Sequence, residues 1–296
     1  MPIDIAYADA PLGHQIRGVD LSRPLDDVTF AAIEQAYDHY GTIVIPDQKL
    51  TPEQQLAFSR RFGPLDRYVL ERYNHRQWPE IFVISNIIGE DGEPIGMSDA
   101  GRYWHTDMWL THNPPRGSFL YALEIPVRDG EPLGDTYFTS TGAAYDALPE
   151  ELKARLDVSK AVFSKRKYLE FRARTNKDID KPTGLASQQA LKDLGDDDII
   201  HNIIRRHPRT GRKCIYLCEG VIDRLVGWDK AESDAMIAFL ERHVTSPRFV
   251  YRHRWRVGDL VMWDNCACLH KAIGDFELPL RRHMHRTTLA NAGKAA

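Results

Sequence analysis

Short apolar runs, either continuous or alternating with polar residues, recur along the chain and indicate β-strands. Examples are "TIVIPDQ" at 42–48, "GSFLYALEIP" at 117–126 and "LVMWDN" at 260–265. Further strand-like runs are "EIFVISN", "GDTYFTST", "RKCIYLCEG", "RFVYRHRW" and "RRHMHRTTL". Many short strands separated by turn residues predict a mainly β fold with flanking helices, a sandwich or jelly roll, and not a wound parallel sheet.

Three stretches have the periodicity of amphipathic helices. They are 24–41, 51–63 and 229–244. The second begins with Thr51 as N-cap and Pro52 in the first turn, and it ends at Gly63. We find no linker or repeat, so we expect one domain over residues 1–296. The strongly charged segment 164–198 is predicted to be a lid or insert with helical segments, and a solvated surface excursion is the alternative.

The composition of the chain excludes some classes of protein but does not indicate a particular reaction. The 296 residues are 43% hydrophobic and 27% charged, with a formal net charge of -3, which is typical of an ordinary soluble protein. The charge gives no reason to expect a nucleic-acid partner. No apolar run is long enough to span a membrane, and the N-terminus does not resemble a secretory signal, so we expect a cytoplasmic protein. The four cysteines are interpreted as reduced thiols in or near the core.

The stretch "YWHTDMWLTH" at 103–112 places a histidine and an acid two residues apart in what otherwise reads as a strand. Side chains alternate along a strand, so Tyr103, His105, Asp107 and Trp109 are expected on one face. His105 and Asp107 could then bind one divalent metal, and two histidines with one carboxylate form the open face typical of non-haem iron oxygenases. His-X-Asp is common by chance, so a third ligand is required. His270, just after "LVMWDN", is the candidate.

Several separated motifs resemble the taurine dioxygenase family of Fe(II)- and 2-oxoglutarate-dependent oxygenases, and they occur in the family's order. They are "WHTD" at 104–107, "GDTYF" at 134–138, "WRVGDLVMWDNCACLH" at 255–270 and "RRHMHRTTL" at 281–289. "TPEQQLAFSRRFGPL" and "TIVIPDQ" also look like the family's N-terminal portion. The similarity is thin only in residues 164–198.

The resemblance implies a double-stranded β-helix, a cupin-like jelly roll. It implies that His105, Asp107 and His270 bind Fe(II), and that Thr136 and Arg282 bind 2-oxoglutarate as cosubstrate. It also implies that dioxygen is consumed, that succinate and CO2 are coproducts, and that the protein forms a homodimer or homotetramer. The expected reaction is hydroxylation of a small anionic organic substrate, such as a sulfonate, sulfate ester, aryloxyalkanoate or amino-acid-like acid.

Alternation along "RRHMHRTTL" supports the anion sites independently of the family. Arg282 and Arg286 fall on one face of the predicted strand, and a guanidinium binds a carboxylate with two parallel hydrogen bonds. Arg282 is assigned to 2-oxoglutarate together with Thr136. Arg286 is assigned to the anionic group of the primary substrate. Tyr103 and Asn86 are further candidates for the substrate pocket, as is Trp109.

Several alternatives stay open from the sequence. The approach to Thr136 is longer than the family's and contains one glycine, and the segment 270–281 is about one residue longer, so Arg282 and Arg286 could exchange roles. The pair His283 and His285 is a rival ligand set. A zinc-dependent hydrolase with the same three ligands and a non-catalytic jelly-roll binding protein are the competing functions. The basic cluster of Lys165, Arg166, Lys167, Arg172 and Arg174 is interpreted as hydrated surface, and guidance of an anionic substrate is the alternative.

Overall fold

Strands are the most numerous elements of the fold. The structure, a computed structural model, describes residues 3–68, 71–98, 101–175 and 198–290. Its strands, β1 to β18 in chain order, are Asp4–Ala6, His14–Arg17, Thr42–Ile45, Leu65–Asp66, Phe82–Ser85, Gly117–Glu124, Val127–Arg128, Glu131–Pro132, Thr136–Ser140, Lys160–Phe163, Ile199–Asn202, Ile204–Arg206, Lys213–Ile215, Ile222–Leu225, Val250–His253, Leu260–Asp264, Cys268–Ala272 and His283–Leu289. The α-helices of the described ranges, α1 to α6, are Asp27–Tyr40, Pro52–Arg60, Thr141–Asp146, Glu150–Leu156, Lys165–Thr175 and Lys230–Val244, and two 3₁₀ helices are Glu71–Tyr73 and Pro247–Phe249.

Two sheets form the body of the fold. The main sheet has the order β1-β2-β3-β16-β6-β18-β4, and β5 also pairs with β18. Its pairs are antiparallel except for β2 with β3. The minor sheet has the order β15-β9-β17 and is antiparallel throughout. The non-sequential strand order, with β16 between β3 and β6, brings residues from distant parts of the sequence side by side.

The two sheets pack face to face, and strand alternation explains why. Val44, Leu120 and Val261 on the main sheet share one buried cluster with Phe138 of β9 and with Trp255. Burial of such large apolar side chains stabilises the fold by about 1.5–3 kcal/mol each relative to exposure.

The opposite face of the main sheet is covered by helices. Ile43, Phe119 and Met262, the sequence neighbours of the residues in the inner cluster, pack with Tyr37 of α1 and Phe58 of α2. Helix α2 has a capping box in which Thr51 and Gln54 bond each other's backbone N–H groups. Both predicted N-terminal helices are therefore present where the periodicity placed them.

A third packed region lies beside the minor sheet. The small sheet β11-β10-β14 packs with α6, and Tyr103 and Trp109 belong to the same apolar cluster. Of the predicted lid or insert at 164–198, the described part is α5, and residues 176–197 lie outside the described residues. No helix in the described ranges is long and apolar enough to cross a membrane. The four cysteines are free, and Cys214, Cys218 and Cys268 are buried.

Candidate active site

The prediction of a strand at 103–112 is wrong. The segment nevertheless brings the expected side chains together. His105 forms an isolated antiparallel bridge with His270 of β17, and the two backbones exchange hydrogen bonds with N···O distances of 3.0 and 2.8 Å. A turn follows at once, and Met108 has a left-handed φ of 52°. The chain is therefore extended only around His105, and it turns away immediately after Asp107.

Three donor atoms converge at this point. Nε2 of His105 and Nε2 of His270 each lie 3.9 Å from Oδ1 of Asp107. All three side chains are buried, and their ligand atoms lie within 4.8 Å of one another. Nδ1 of His105 donates to the carbonyl oxygen of Tyr103 over 2.8 Å, since a carbonyl can only accept. The Nε2 lone pair of His105 is therefore available for a metal.

Asp107 is held by neighbours that leave one oxygen facing the histidines. The Ser118 hydroxyl donates to Oδ2 over 2.8 Å. The backbone N–H of Asp107 donates to the side-chain oxygen of Asn265 over 3.3 Å. On the other oxygen, Oδ1, Nη1 of Arg286 lies at 3.3 Å. The carboxylate orientation is thus determined by the main sheet on one side and by the loop between β16 and β17 on the other.

Burial and charge determine the protonation states of the three side chains. Burial lowers the pKa of both His105 and His270, that of His270 strongly. Burial alone would raise the pKa of Asp107, but the Arg286 guanidinium and the Ser118 hydrogen bond favour the ionised form, and the pKa lies well below its ordinary value. Two neutral imidazoles and one ionised carboxylate are the forms that bind a divalent cation.

The segment 101–104, just before the ligands, is held by hydrogen bonds to its backbone and by the close contact of Gly101 with His105. Trp104 and Glu219 exchange hydrogen bonds, with the Trp104 N–H on the Glu219 carboxylate at 2.9 Å. Gly101 has a φ of +70° and accepts from the N–H of Ala272. A Cβ at residue 101 would lie 2.4 Å from Cε1 of His105. Glycine is required there both for the backbone conformation and for the space that the imidazole occupies.

Thr136 and Arg282 both lie next to Trp255 and line the same cavity. The indole N–H donates to Oγ1 of Thr136 over 2.9 Å, and the Arg282 guanidinium carbon lies 5.9 Å from the indole ring centroid. Burial lowers the pKa of Arg282 to about 10, so it remains cationic at neutral pH. The longer approach to Thr136 folds as the hairpin of β7 and β8, whose turn residues Asp129 and Gly130 both have left-handed φ values.

Strand β18 has the predicted alternation. Arg282 and Arg286 line the cavity above the three donor atoms, whereas His283 and His285 pack against each other and near His75. Among the described residues, the group able to hold a metal consists of His105, Asp107 and His270 alone. The rival pair His283 and His285 thus lies outside that group.

The other predicted substrate residues lie around the same cavity, which has a volume of about 160 Å³. Tyr103 stacks on the His105 imidazole with a centroid distance of 4.7 Å, and Trp109 also lines the wall. Asn86 lines the cavity as well, but its amide binds backbone: the oxygen accepts from Arg282 N–H and the nitrogen donates to Leu280 O, both over 2.8 Å. Asn86 therefore holds the start of β18.

Sequence reasoning missed the residues that support the site from other elements. Ser118, Tyr168 and Trp255 were not identified as site residues, although Trp255 begins the motif at 255–270. Arg172 is 8% exposed and lines the cavity, and Lys165 is 7% exposed, so the interpretation as hydrated surface is wrong for both. The rings near Arg172 include Tyr168 of the same helix and Tyr103, which only the tertiary structure brings to α5.

Comparisons with known proteins find similarity over nearly the whole chain. The profile of the taurine catabolism dioxygenase TauD, TfdA family matches residues 5–288. Pentalenolactone F synthase from Streptomyces arenae is 31% identical over 264 residues, 88% of this chain and 86% of that protein. The alpha-ketoglutarate-dependent 2,4-dichlorophenoxyacetate dioxygenase from Cupriavidus pinatubonensis is 31% identical, with 92% of each chain covered.

The likeness extends to solved structures. A taurine dioxygenase from Burkholderia xenovorans matches with a TM-score of 0.77 at 28% identity, over 98% of this chain and 90% of its own. The predicted jelly-roll class, mainly β with flanking helices, is confirmed by this match together with the two facing sheets.

Proposed function

This chain belongs to the taurine catabolism dioxygenase TauD, TfdA family, and on that premise we propose that it hydroxylates a small anionic organic substrate with Fe(II) and 2-oxoglutarate. The observation that carries the proposal is the meeting of two imidazole nitrogens and one carboxylate oxygen within 4.8 Å. Two histidines and one carboxylate with open positions are the ligand set of non-haem Fe(II) oxygenases. Membership in the family favours this function over a zinc-dependent hydrolase and over a non-catalytic binding protein.

The residues present fit an iron ion. His105 Nε2, Asp107 Oδ1 and His270 Nε2 would hold it, since the second nitrogen of His105 and the second oxygen of Asp107 are already bonded to Tyr103 and Ser118. Such partners fix the orientation of metal ligands and raise affinity. When bound, iron and 2-oxoglutarate supply the activation of dioxygen, with succinate and CO2 as coproducts. The chain contributes orientation, charge and a site from which water is largely excluded.

Arg282 and Thr136 would bind the distal carboxylate of 2-oxoglutarate. Because Oγ1 of Thr136 accepts from Trp255, its own hydrogen is free to donate to that carboxylate. Arg282 is buried, cationic and close to the same indole ring. This arrangement supports Arg282 for the cosubstrate over the exchanged assignment with Arg286.

Arg286 would bind the anionic group of the primary substrate. It is buried beside Asp107, and its Nε has no hydrogen-bond partner among the described residues. A buried, unpartnered guanidinium N–H is costly unless a ligand accepts from it. Tyr103 would contact the substrate body from the His105 side. Asn86 would act indirectly, through the backbone that positions Arg282.

The identity of the substrate is argued from the pocket. The two relatives described above have different compounds in their names, pentalenolactone F in one and 2,4-dichlorophenoxyacetate in the other. Arg286 could bind the anionic group of several classes of acid, namely sulfonates, sulfate esters, aryloxyalkanoates and amino-acid-like acids. The proposal also includes three further properties: a single domain over 1–296 with an insert at 164–198, a cytoplasmic location, and assembly as a homodimer or homotetramer.

An anaerobic titration tests the proposed metal and cosubstrate site. Adding Fe(II) and then 2-oxoglutarate should produce a visible charge-transfer band, and His105→Ala or Asp107→Ala should abolish it. His283→Ala is the matched control, because that histidine packs on the opposite face of β18, and it should keep the band. An unchanged band in the His105 and Asp107 variants would overturn the assignment. Under oxygen, substrate-triggered succinate release from a panel of acids would then identify the substrate class.

A further inference from the structure

Helix α5 contributes a second, unexpected cation to the cavity. The sequence of this helix, "KRKYLEFRART", is strongly charged. Tyr168 and Arg172, four residues apart and hence on one helix face, nevertheless line the cavity. By contrast, Arg166 and Arg174 on the same helix are exposed. The helix therefore presents the guanidinium of Arg172 to the cavity, whereas Arg166 and Arg174 point to solvent.

Arg172 is connected to the candidate ligands through a short series of aromatic rings. Its guanidinium carbon lies 5.9 Å from the centroid of Tyr103 and 6.0 Å from that of Tyr168. The Tyr103 ring stacks on His105, and Tyr168 lies 5.5 Å from Trp109. Arg172 is thus one aromatic ring away from His105, and Tyr103, Tyr168 and Trp109 form a wall of rings that are tilted against one another.

Arg286 reaches the same ligand group by a different route. It lies against Asp107, and its guanidinium carbon is 4.9 Å from the Tyr68 ring and 4.8 Å from the Phe82 ring. Arg172 and Arg286 therefore contact separate aromatic groups, one beside His105 and the other beside Asp107. Arg286 thus lies beside Asp107, and Arg172 lies one aromatic ring beyond His105.

Arginines outnumber carboxylates in the lining of the cavity. Among the described residues that line it, four are arginines and Asp107 is the single carboxylate. The four are Arg102, Arg172, Arg282 and Arg286. One of them is assigned to the distal carboxylate of 2-oxoglutarate. Guanidinium groups that line a cavity can bind the anionic groups of a ligand with planar pairs of N–H donors.

We infer that Arg172 determines specificity by binding a second anionic group of the primary substrate, which makes that substrate a dianion with an apolar body. The inference rests on the proposed function and deepens it, because Arg286 alone requires only one anionic group. In this arrangement the apolar body lies along Tyr103, Tyr168 and Trp109. Arg172 then binds the group farthest from Arg286 with its planar pair of N–H donors.

Matched pairs of probes test the inference by binding, without turnover. The pairs are phenoxyacetate with 4-carboxyphenoxyacetate and benzoate with terephthalate, each differing by one ring carboxylate. They are added anaerobically to the holoenzyme with Fe(II) and 2-oxoglutarate, and the change in the charge-transfer band gives Kd. The wild type should bind at least one dianion about tenfold to a hundredfold more tightly than its monoanion partner, as expected for a hydrogen bond between charged groups.

Arg172→Gln should remove that preference and leave the Kd of the monoanions unchanged, while Arg172→Lys should retain part of it. Arg174→Gln, an exposed arginine of the same helix, is the control and should keep the full preference. Equal weakening of both probes of a pair in Arg172→Gln, or no preference for dianions in the wild type, would overturn the inference while leaving the proposed function intact. Absence of the charge-transfer band in the wild type before any probe is added would overturn both.

Discussion

The hydroxyl of Ser118, in the middle of the main sheet, donates to Oδ2 of Asp107 over 2.8 Å and so directs Oδ1 toward both histidines. Ser118→Ala should lower the affinity for Fe(II) by about tenfold to a hundredfold, the usual effect of removing a residue that orients a metal ligand. Metal titration of the purified variant measures it. Ser59→Ala is a suitable control, since this equally buried hydroxyl bonds Thr287 on the helix-covered face. Equal affinities in the two variants would contradict the role of Ser118.

Gly101 provides a second test, this time of space beside a ligand. Gly101→Ala places a methyl group 2.4 Å from Cε1 of His105, so the imidazole must move and metal affinity should fall at least tenfold. Gly92→Ala separates this effect from backbone strain. Gly92 has a similar φ of +80°, but its Cβ would meet nothing within 4 Å. Both variants should lose about 1 kcal/mol of stability, and Gly101→Ala alone should lose metal.

Trp255 links the two residues assigned to 2-oxoglutarate. Trp255→Phe keeps an aromatic ring beneath Arg282 but removes the N–H that orients the Thr136 hydroxyl. Loss of one hydrogen bond should weaken 2-oxoglutarate binding about twofold to tenfold at saturating metal. Trp263→Phe is the matched control, because Nε1 of this buried cavity tryptophan has no hydrogen-bond partner among the described residues. Similar losses in both variants would show that ring volume, and not the N–H, matters.

Acid should destabilise the fold through buried histidines behind β18. Burial, followed by the neighbouring His283 and His75, lowers the pKa of His285 from 6.5 to about 3. The unfolded chain takes up this proton below pH 6.5, whereas the folded chain does not until near pH 3. The free energy of unfolding should therefore fall between these pH values, by up to about 1.4 kcal/mol per pH unit for each such group.

Urea denaturation of the metal-free protein between pH 7 and pH 4.5 measures this slope. His285→Phe should make the pH dependence shallower over the same range, since the aromatic packing is kept and the titrating group is removed. An identical slope in wild type and variant would assign the acid sensitivity to other groups.

Two of the three ligand candidates, His105 and Asp107, were recognisable from sequence because side-chain alternation does not require a regular strand, whereas His270 was assigned through the resemblance to the family. His105 and Asp107 share a face wherever the backbone is extended, and an isolated bridge to His270 is enough to extend it. The turn that follows was not predicted, because nothing in "DMWL" marks Met108 as left-handed. The Asp129-Gly130 hairpin did have a recognisable signal, since this dipeptide favours exactly such a turn.

The position of Arg172 could not be predicted from local sequence. A helix rich in lysine and arginine reads as solvated, and the aromatic residues that bury Arg172 include Tyr103, which is distant in sequence. Ser118 and Trp255 were missed for the same reason, because each acts through a partner that only the sheet pairing brings near. Long-range contacts of this kind leave no periodicity in the sequence.

The pairing of β17 with β9 places His270 opposite Phe138, with Leu269 and Lys271 on either side in the strand. A shift of one residue in this register would turn the imidazole to the other face of the minor sheet and bring a leucine or a lysine toward Asp107. The connection at 265–267 between β16 and β17 must therefore have a number of residues that keeps His270 on the face toward Asp107. Inserting or deleting a single residue there should abolish metal binding even if the strands still pair, whereas a change of two residues keeps the alternation.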